Sequence, residues 1–122
     1  MLHSRIVVLA MALTTATAML SADSPSSDQG IDFFESRIRP VLVEHCYACH
    51  NSADTTEGEL AVDFREGIRR GGEGGKLLVP GDAAGSRLIA ILKHEIDGME
   101  MPQDGPKLDD RVIADFEAWI SM

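Results

Sequence analysis

The sequence predicts an all-α domain of about four helices separated by long loops. Three observations lead there. Apolar residues recur at helical spacing in several stretches with their own start or stop signals, few segments alternate as half-buried strands do, and Gly and Pro gather between the helical stretches. At 122 residues and 44% hydrophobic content, the chain suits a single compact domain once any leader is subtracted.

A leader is the first element. Met1 to Arg5 forms a short basic region, Ile6 to Leu13 an apolar run, and small residues follow to Ala22. That order is the order of a secretory signal peptide. Ala16-Thr17-Ala18 and Leu20-Ser21-Ala22 both offer cleavage points, and cleavage after Ala22 is favoured. The apolar run is broken by Thr14, Thr15 and Thr17 and is short for a span, so no stable membrane segment is expected after cleavage. Residues 1–22 are thus expected as signal peptide, 23–30 as a polar, disordered leader and 31–122 as the domain, in the periplasm or otherwise exported.

From Asp32, expected as an N-cap with Glu35 as its capping-box partner, Phe34, Ile38, Val41 and Leu42 repeat at helical spacing. Pro40 interrupts them, because it lacks an N–H and crowds the preceding turn. A kink at Ser36 to Arg39 or a fresh helix from Pro40 is expected, with the second half running into Cys46. A second, short helix is signalled by Asp63 as cap, Glu66 three residues on and Gly71-Gly72 as stop. The glycine-rich stretch to Gly75 reads as a loop; it lacks the Gly-Lys-Ser/Thr ending and flanking strand of a phosphate cradle. A third helix is expected from Ser86 to about His94, and a last one from Asp109 or Asp110 carrying Val112, Ile113, Phe116, Trp119 and Ile120. That spacing assigns Phe116 and Trp119 to packing.

Cys46 and Cys49 are the only cysteines, and export would place them where thiols are ordinarily oxidised. With His50 they form Cys46-Tyr47-Ala48-Cys49-His50. On a helix these residues lie at i, i+3 and i+4, so two thiols and an imidazole share one face. Covalent attachment of one haem c needs that: two thiols for the two vinyl groups and an imidazole beneath the iron. A zinc site would need a second ligand pair, and a thioredoxin-like pair would need a βαβ context; neither pattern is present. A disulfide across so short a loop would do little to hold a domain together.

The opposite face of the iron needs a second ligand. Met99, Met101 and His94 are the candidates, and a methionine sulfur would raise the potential as an electron carrier requires. Met101 is favoured: Gly98-Met99-Glu100-Met101-Pro102 is a polar loop, and Pro102 fixes the backbone beside it. Met99 and His94 remain alternatives. His45 should point away from His50, and Arg65, Arg69, Arg70, Lys76 and Arg87 are equal candidates to meet a haem propionate.

The formal net charge is −9, and losing residues 1–22 removes Arg5 and no acid, making it more negative by one. Nucleic acid is therefore not an expected partner. A redox partner protein with a basic docking surface is.

Taken in order, several segments resemble the planctomycete-type cytochrome c domain. They are Phe33-Phe34-Glu35-Ser36-Arg37-Ile38-Arg39-Pro40 before the cysteine motif, Gly58-Glu59-Leu60 with Asp63-Phe64-Arg65-Glu66-Gly67, and Val79-Pro80-Gly81-Asp82. Ser86-Arg87-Leu88-Ile89, Met101-Pro102 and Ile113-Ala114-Asp115-Phe116-Glu117-Ala118-Trp119-Ile120 complete the set. The resemblance implies a class I-like cytochrome c fold, thioethers at Cys46 and Cys49, and iron ligation by His50 and Met101. Family members commonly carry Met-Pro-Pro where this chain has Met101-Pro102-Gln103. They also usually open longer proteins.

The expected function is one-electron transfer in the periplasm, with no catalytic residues. A haem peroxidase-like enzyme would instead need an open iron position and a polar group from His94 or Glu100. A haem-bearing sensor or docking module is the third class.

Overall fold

The computed structural model describes residues 27–103 and 105–122; the expected signal peptide and residues 23–26 of the expected leader lie outside them. Five α-helices are present: α1 Ser27–Phe33, α2 Arg39–His45, α3 Arg65–Arg70, α4 Arg87–Leu92 and α5 Asp110–Ser121. A π-helical turn, Phe34–Ile38, joins α1 to α2, so these run as one helical segment and the described residues show four α-helical segments. Among the described residues there are no strands, only isolated bridges at His50–Thr56, Gly72–Gly75 and Val79–Asp82. The all-α expectation holds. No helix among the described residues is long and apolar enough to cross a membrane.

Proline explains the π turn. Pro40 has no N–H to give Ser36, and its ring crowds the preceding carbonyls. The helix widens just before it, with the Arg39 N–H reaching back to the Phe34 carbonyl, and α2 restarts with proline in its first turn. The Asp32 cap is a correction: α1 begins at Ser27, so Asp32 lies inside a helix and Ser27 to Gly30, assigned to the leader, form its first turn. The Asp63 cap is another. Phe64, the residue before α3, has no side-chain acceptor to cap it, and the Asp63 carboxylate is turned instead to Ser52, accepting from its N–H at 3.0 Å and its Oγ at 2.7 Å. Gly71 does end α3, at φ +75°, where a side chain is strained.

α4 is shorter than expected because it ends in a Schellman turn. The His94 N–H bonds the Ile91 carbonyl at 3.1 Å and the Glu95 N–H bonds the Ala90 carbonyl at 2.9 Å. His94 takes the left-handed position, φ +59°, that glycine usually fills. At α5, Asp109 caps as its position suggests, accepting from the Arg111 N–H at 2.8 Å.

The core forms where α5 crosses the first helical segment. Phe116 and Ile113 of α5 and Ile38 of the π turn are the largest fully buried side chains. Each such side chain contributes about 1.5–3 kcal/mol by leaving water. Trp119 stacks obliquely on Phe34, centroids 5.3 Å apart, and edge-on to Phe116 at 6.3 Å. Around this seam Lys93 pairs with Glu117 at 2.6 Å, tying α4 to α5. Leu42, Val62, Ile68, Leu77, Ile91 and Leu92 continue the core toward the end of α2, where the cysteine motif begins.

Candidate functional site

α2 ends at His45, and the chain makes one further turn through the motif. The His50 N–H bonds the Cys46 carbonyl at 2.9 Å and the Cys49 N–H bonds it at 3.2 Å. The i, i+3, i+4 relation expected of Cys46, Cys49 and His50 is therefore realised on a single turn rather than inside a helix. Both cysteines are half-buried free thiols. Burial first, and then the neighbouring Cys49, push the Cys46 thiol up to about 11, so it stays protonated at neutral pH. That is the reverse of an activated redox thiolate.

The loop after the motif fixes the imidazole. Asn51 Oδ1 accepts the N–H groups of Ala53 at 2.9 Å and Asp54 at 2.7 Å, while its amide donates to the Tyr47 carbonyl at 2.9 Å. The turn so formed returns the chain to the motif, where the Glu57 N–H bonds the Cys49 carbonyl at 3.0 Å. The Glu57 carbonyl then lies 2.9 Å from His50 Nδ1. A carbonyl only accepts, so Nδ1 carries the hydrogen and Nε2 keeps its lone pair. Sequence reasoning missed Asn51 and Glu57. An asparagine five residues after the first cysteine was the available signal for the turn; a backbone carbonyl leaves none.

Cys46 and His50 line a cavity of about 460 Å³. Its walls are apolar, from Leu42, Leu60, Val62, Ile68, Leu77 and Ile91, and Phe116 and Trp119 reach it from α5. A volume of roughly 300–1,000 Å³ with apolar walls and few polar groups is usual for a cofactor site. Met99 and Met101 line the same cavity. The Met101 backbone is held at both ends, its N–H 3.5 Å from the Ile91 carbonyl and its own carbonyl accepting from His94 Nε2 at 3.1 Å. Met99 Sδ accepts from the Arg87 guanidinium at 3.3 Å.

The other candidates fall elsewhere. His94 is not among the lining residues, its Nε2 being committed to the Met101 carbonyl. Glu100 does not line the cavity either; backbone N–H groups, its own and that of Gly98, hold its carboxyl below the usual range. His45, expected to point away, is solvent-exposed yet forms part of the cavity rim. Of the five cations considered for a propionate, Arg87 lines the cavity and Arg65, Arg69, Arg70 and Lys76 do not. Among the described residues no three His, Cys, Asp or Glu side chains converge as a multi-ligand metal site would need.

Residues 46–105 match the family model for Planctomycete cytochrome C. No curated protein and no solved structure matches the chain. The matched segment opens on the first cysteine of the motif and runs past Met101 and Pro102, so it spans the Cys46–His50 turn, the methionine loop and much of the cavity lining, while Leu42, Phe116 and Trp119 lie outside it. Residues 46–105 are thus similar to a planctomycete cytochrome C domain.

Proposed function

We propose that this protein is an exported, periplasmic one-electron carrier on a class I-like cytochrome c fold. Cys46 and Cys49 would hold one haem covalently, and His50 Nε2 and Met101 Sδ would bind its iron. The single observation that carries this reading is that Cys46, His50 and Met101 line one apolar cavity, with His50 Nδ1 tied to a carbonyl so that Nε2 is the free nitrogen. The residues present fit the group: two free thiols, of which Cys46 lines the cavity and Cys49 lies on the same turn without lining it, an oriented imidazole, thioethers and apolar walls.

The haem supplies the reversible uptake and release of one electron. The chain's own residues attach, orient and shield it. The Cys46 and Cys49 thiols would hold the haem as thioethers to its two vinyl groups, an addition that needs no external oxidant or reductant. Glu57 fixes the imidazole tautomer and raises its basicity. Leu42, Val62, Ile91 and Phe116 exclude water, and a thioether ligand in a dry site favours the ferrous state. The net charge of −9 suits encounter with a redox partner whose docking surface is basic. A peroxidase-like role gains no support, since neither His94 nor Glu100, the polar groups it would use, lines the cavity.

The test is expression with a c-haem maturation system, followed by reduced-minus-oxidised spectra. A c-type spectrum with a sulfur-to-iron charge-transfer band in the oxidised protein is expected. Met101→Ala should abolish that band and Met99→Ala should leave it. A spectrum without covalent haem would sink the proposal, and fast peroxide turnover by the wild type would replace it with the enzyme reading.

A further inference from the structure

Two thioethers, Met99 and Met101, sit two residues apart on one loop and line one cavity. Either sulfur is soft enough for iron, and the iron accepts one. The two differ in what holds them.

Met99 Sδ accepts a hydrogen bond from Arg87 at 3.3 Å, and the other arm of the same guanidinium bonds the Gly74 carbonyl. Gly74 makes room for it, since a Cβ there would lie 2.9 and 3.0 Å from the two terminal nitrogens of Arg87. The root of Arg87 is fixed as well. Ser86, just before it and 3% exposed, donates its Oγ to the Asp82 carbonyl at 2.6 Å and accepts the Val79 N–H at 2.9 Å. Met101 has no such engagement at its sulfur among these contacts, while its backbone is clamped by Ile91 and by His94 in the Schellman turn.

We infer that Arg87 is a positioning residue that selects the iron ligand: it holds the Met99 sulfur away, while the far end of α4 presents Met101. A charged N–H donor at a thioether occupies a lone pair the metal would use and draws electron density from the sulfur. The inference rests on the haem reading above, extending it from which residue binds to why its neighbour does not.

The test uses the haem-loaded protein. Haem that stays on the chain after denaturation is recorded first in every variant; its absence from the wild type means failure of the haem reading itself, separate from this one. With haem attached, Met101→Ala is expected to lose the sulfur-to-iron band, because Met99 stays tethered. Arg87→Leu added to Met101→Ala should bring back at least half of the wild-type intensity, and further removal of Met99 should abolish it again. Arg87→Gln, which keeps an N–H for the sulfur, should leave the Met101→Ala protein without the band. Gly74→Ala displaces the guanidinium at a position that needs no positive φ, and should restore the band in part if Arg87→Leu does not fold. A band that survives in Met101→Ala alone overturns the inference. So does its failure to return in the folded double variant carrying Arg87→Leu, or, should that not fold, in the one carrying Gly74→Ala.

Discussion

His50 Nδ1 lies 2.9 Å from the Glu57 carbonyl, and that one contact decides which imidazole nitrogen is offered to the cavity. At the scale of single residues the site is a set of such commitments: Asn51 shapes the turn, Arg87 takes the Met99 sulfur, and Ser52 takes the Asp63 carboxylate. The last has a pH signature. The N–H and hydroxyl of Ser52 hold the Asp63 carboxyl below its ordinary value. A depressed folded pKa gives stability that is present above the unfolded pKa and lost as pH falls through the folded one. Asp63→Asn should therefore lower Tm at neutral pH, and the gap to wild type should close in acid, below the ordinary carboxylate range. A gap independent of pH would contradict the assignment. The turn that brings Cys46, Cys49 and His50 together was legible in the sequence because their spacing, i, i+3 and i+4, is local. The Glu57 carbonyl was not, since every residue carries one and only the folded turn says where it points.

At the scale of elements, the periodicity of apolar residues located the helices and the local end signals were less faithful. Asp32 and Asp63 both satisfy a capping-box spacing, yet one lies inside a helix that starts five residues upstream and the other is drawn off by Ser52, eleven residues away, both beyond what a four-residue pattern can sense. Gly71, Pro40 and Asp109 behaved as read, because their effects are local: a missing Cβ, a missing N–H, a carboxylate two residues from its donor. Gly71→Ala should be costly. At φ +75° an added Cβ meets the Gly75 carbonyl, where the chain reverses out of α3 toward the cavity. A loss of about 1–3 kcal/mol is expected in denaturant unfolding, against near-neutrality for Gly30→Ala, whose Cβ would meet nothing within 4 Å.

Across the whole molecule, the apolar walls of the cavity face the same space from α2, the 57–62 segment, α4 and α5, so the proposed haem would complete the core. The haem-loaded protein should melt well above a Cys46→Ser, Cys49→Ser double variant, with equal Tm values contradicting a structural role. The acid-rich surface makes a second prediction. Electron transfer to a basic redox partner should slow as salt rises from low to physiological ionic strength, where the screening length falls to about 8 Å. A salt-independent rate would mean that charge does not guide the encounter. The all-α class and the cofactor motif were legible at this scale because both are written in residue types. That Met99 and Met101 share the cavity while His94 stays outside it was not, because it depends on the left-handed turn at the end of α4.

The central claim is attachment itself, and mass spectrometry after denaturation measures it most directly. Protein matured with a c-haem system is predicted to carry the mass of one haem per chain, with attachment lost when Cys46 and Cys49 are both replaced by serine. A chain recovered at its unmodified mass with two free thiols, from cells that load haem onto a control cytochrome, would contradict the account.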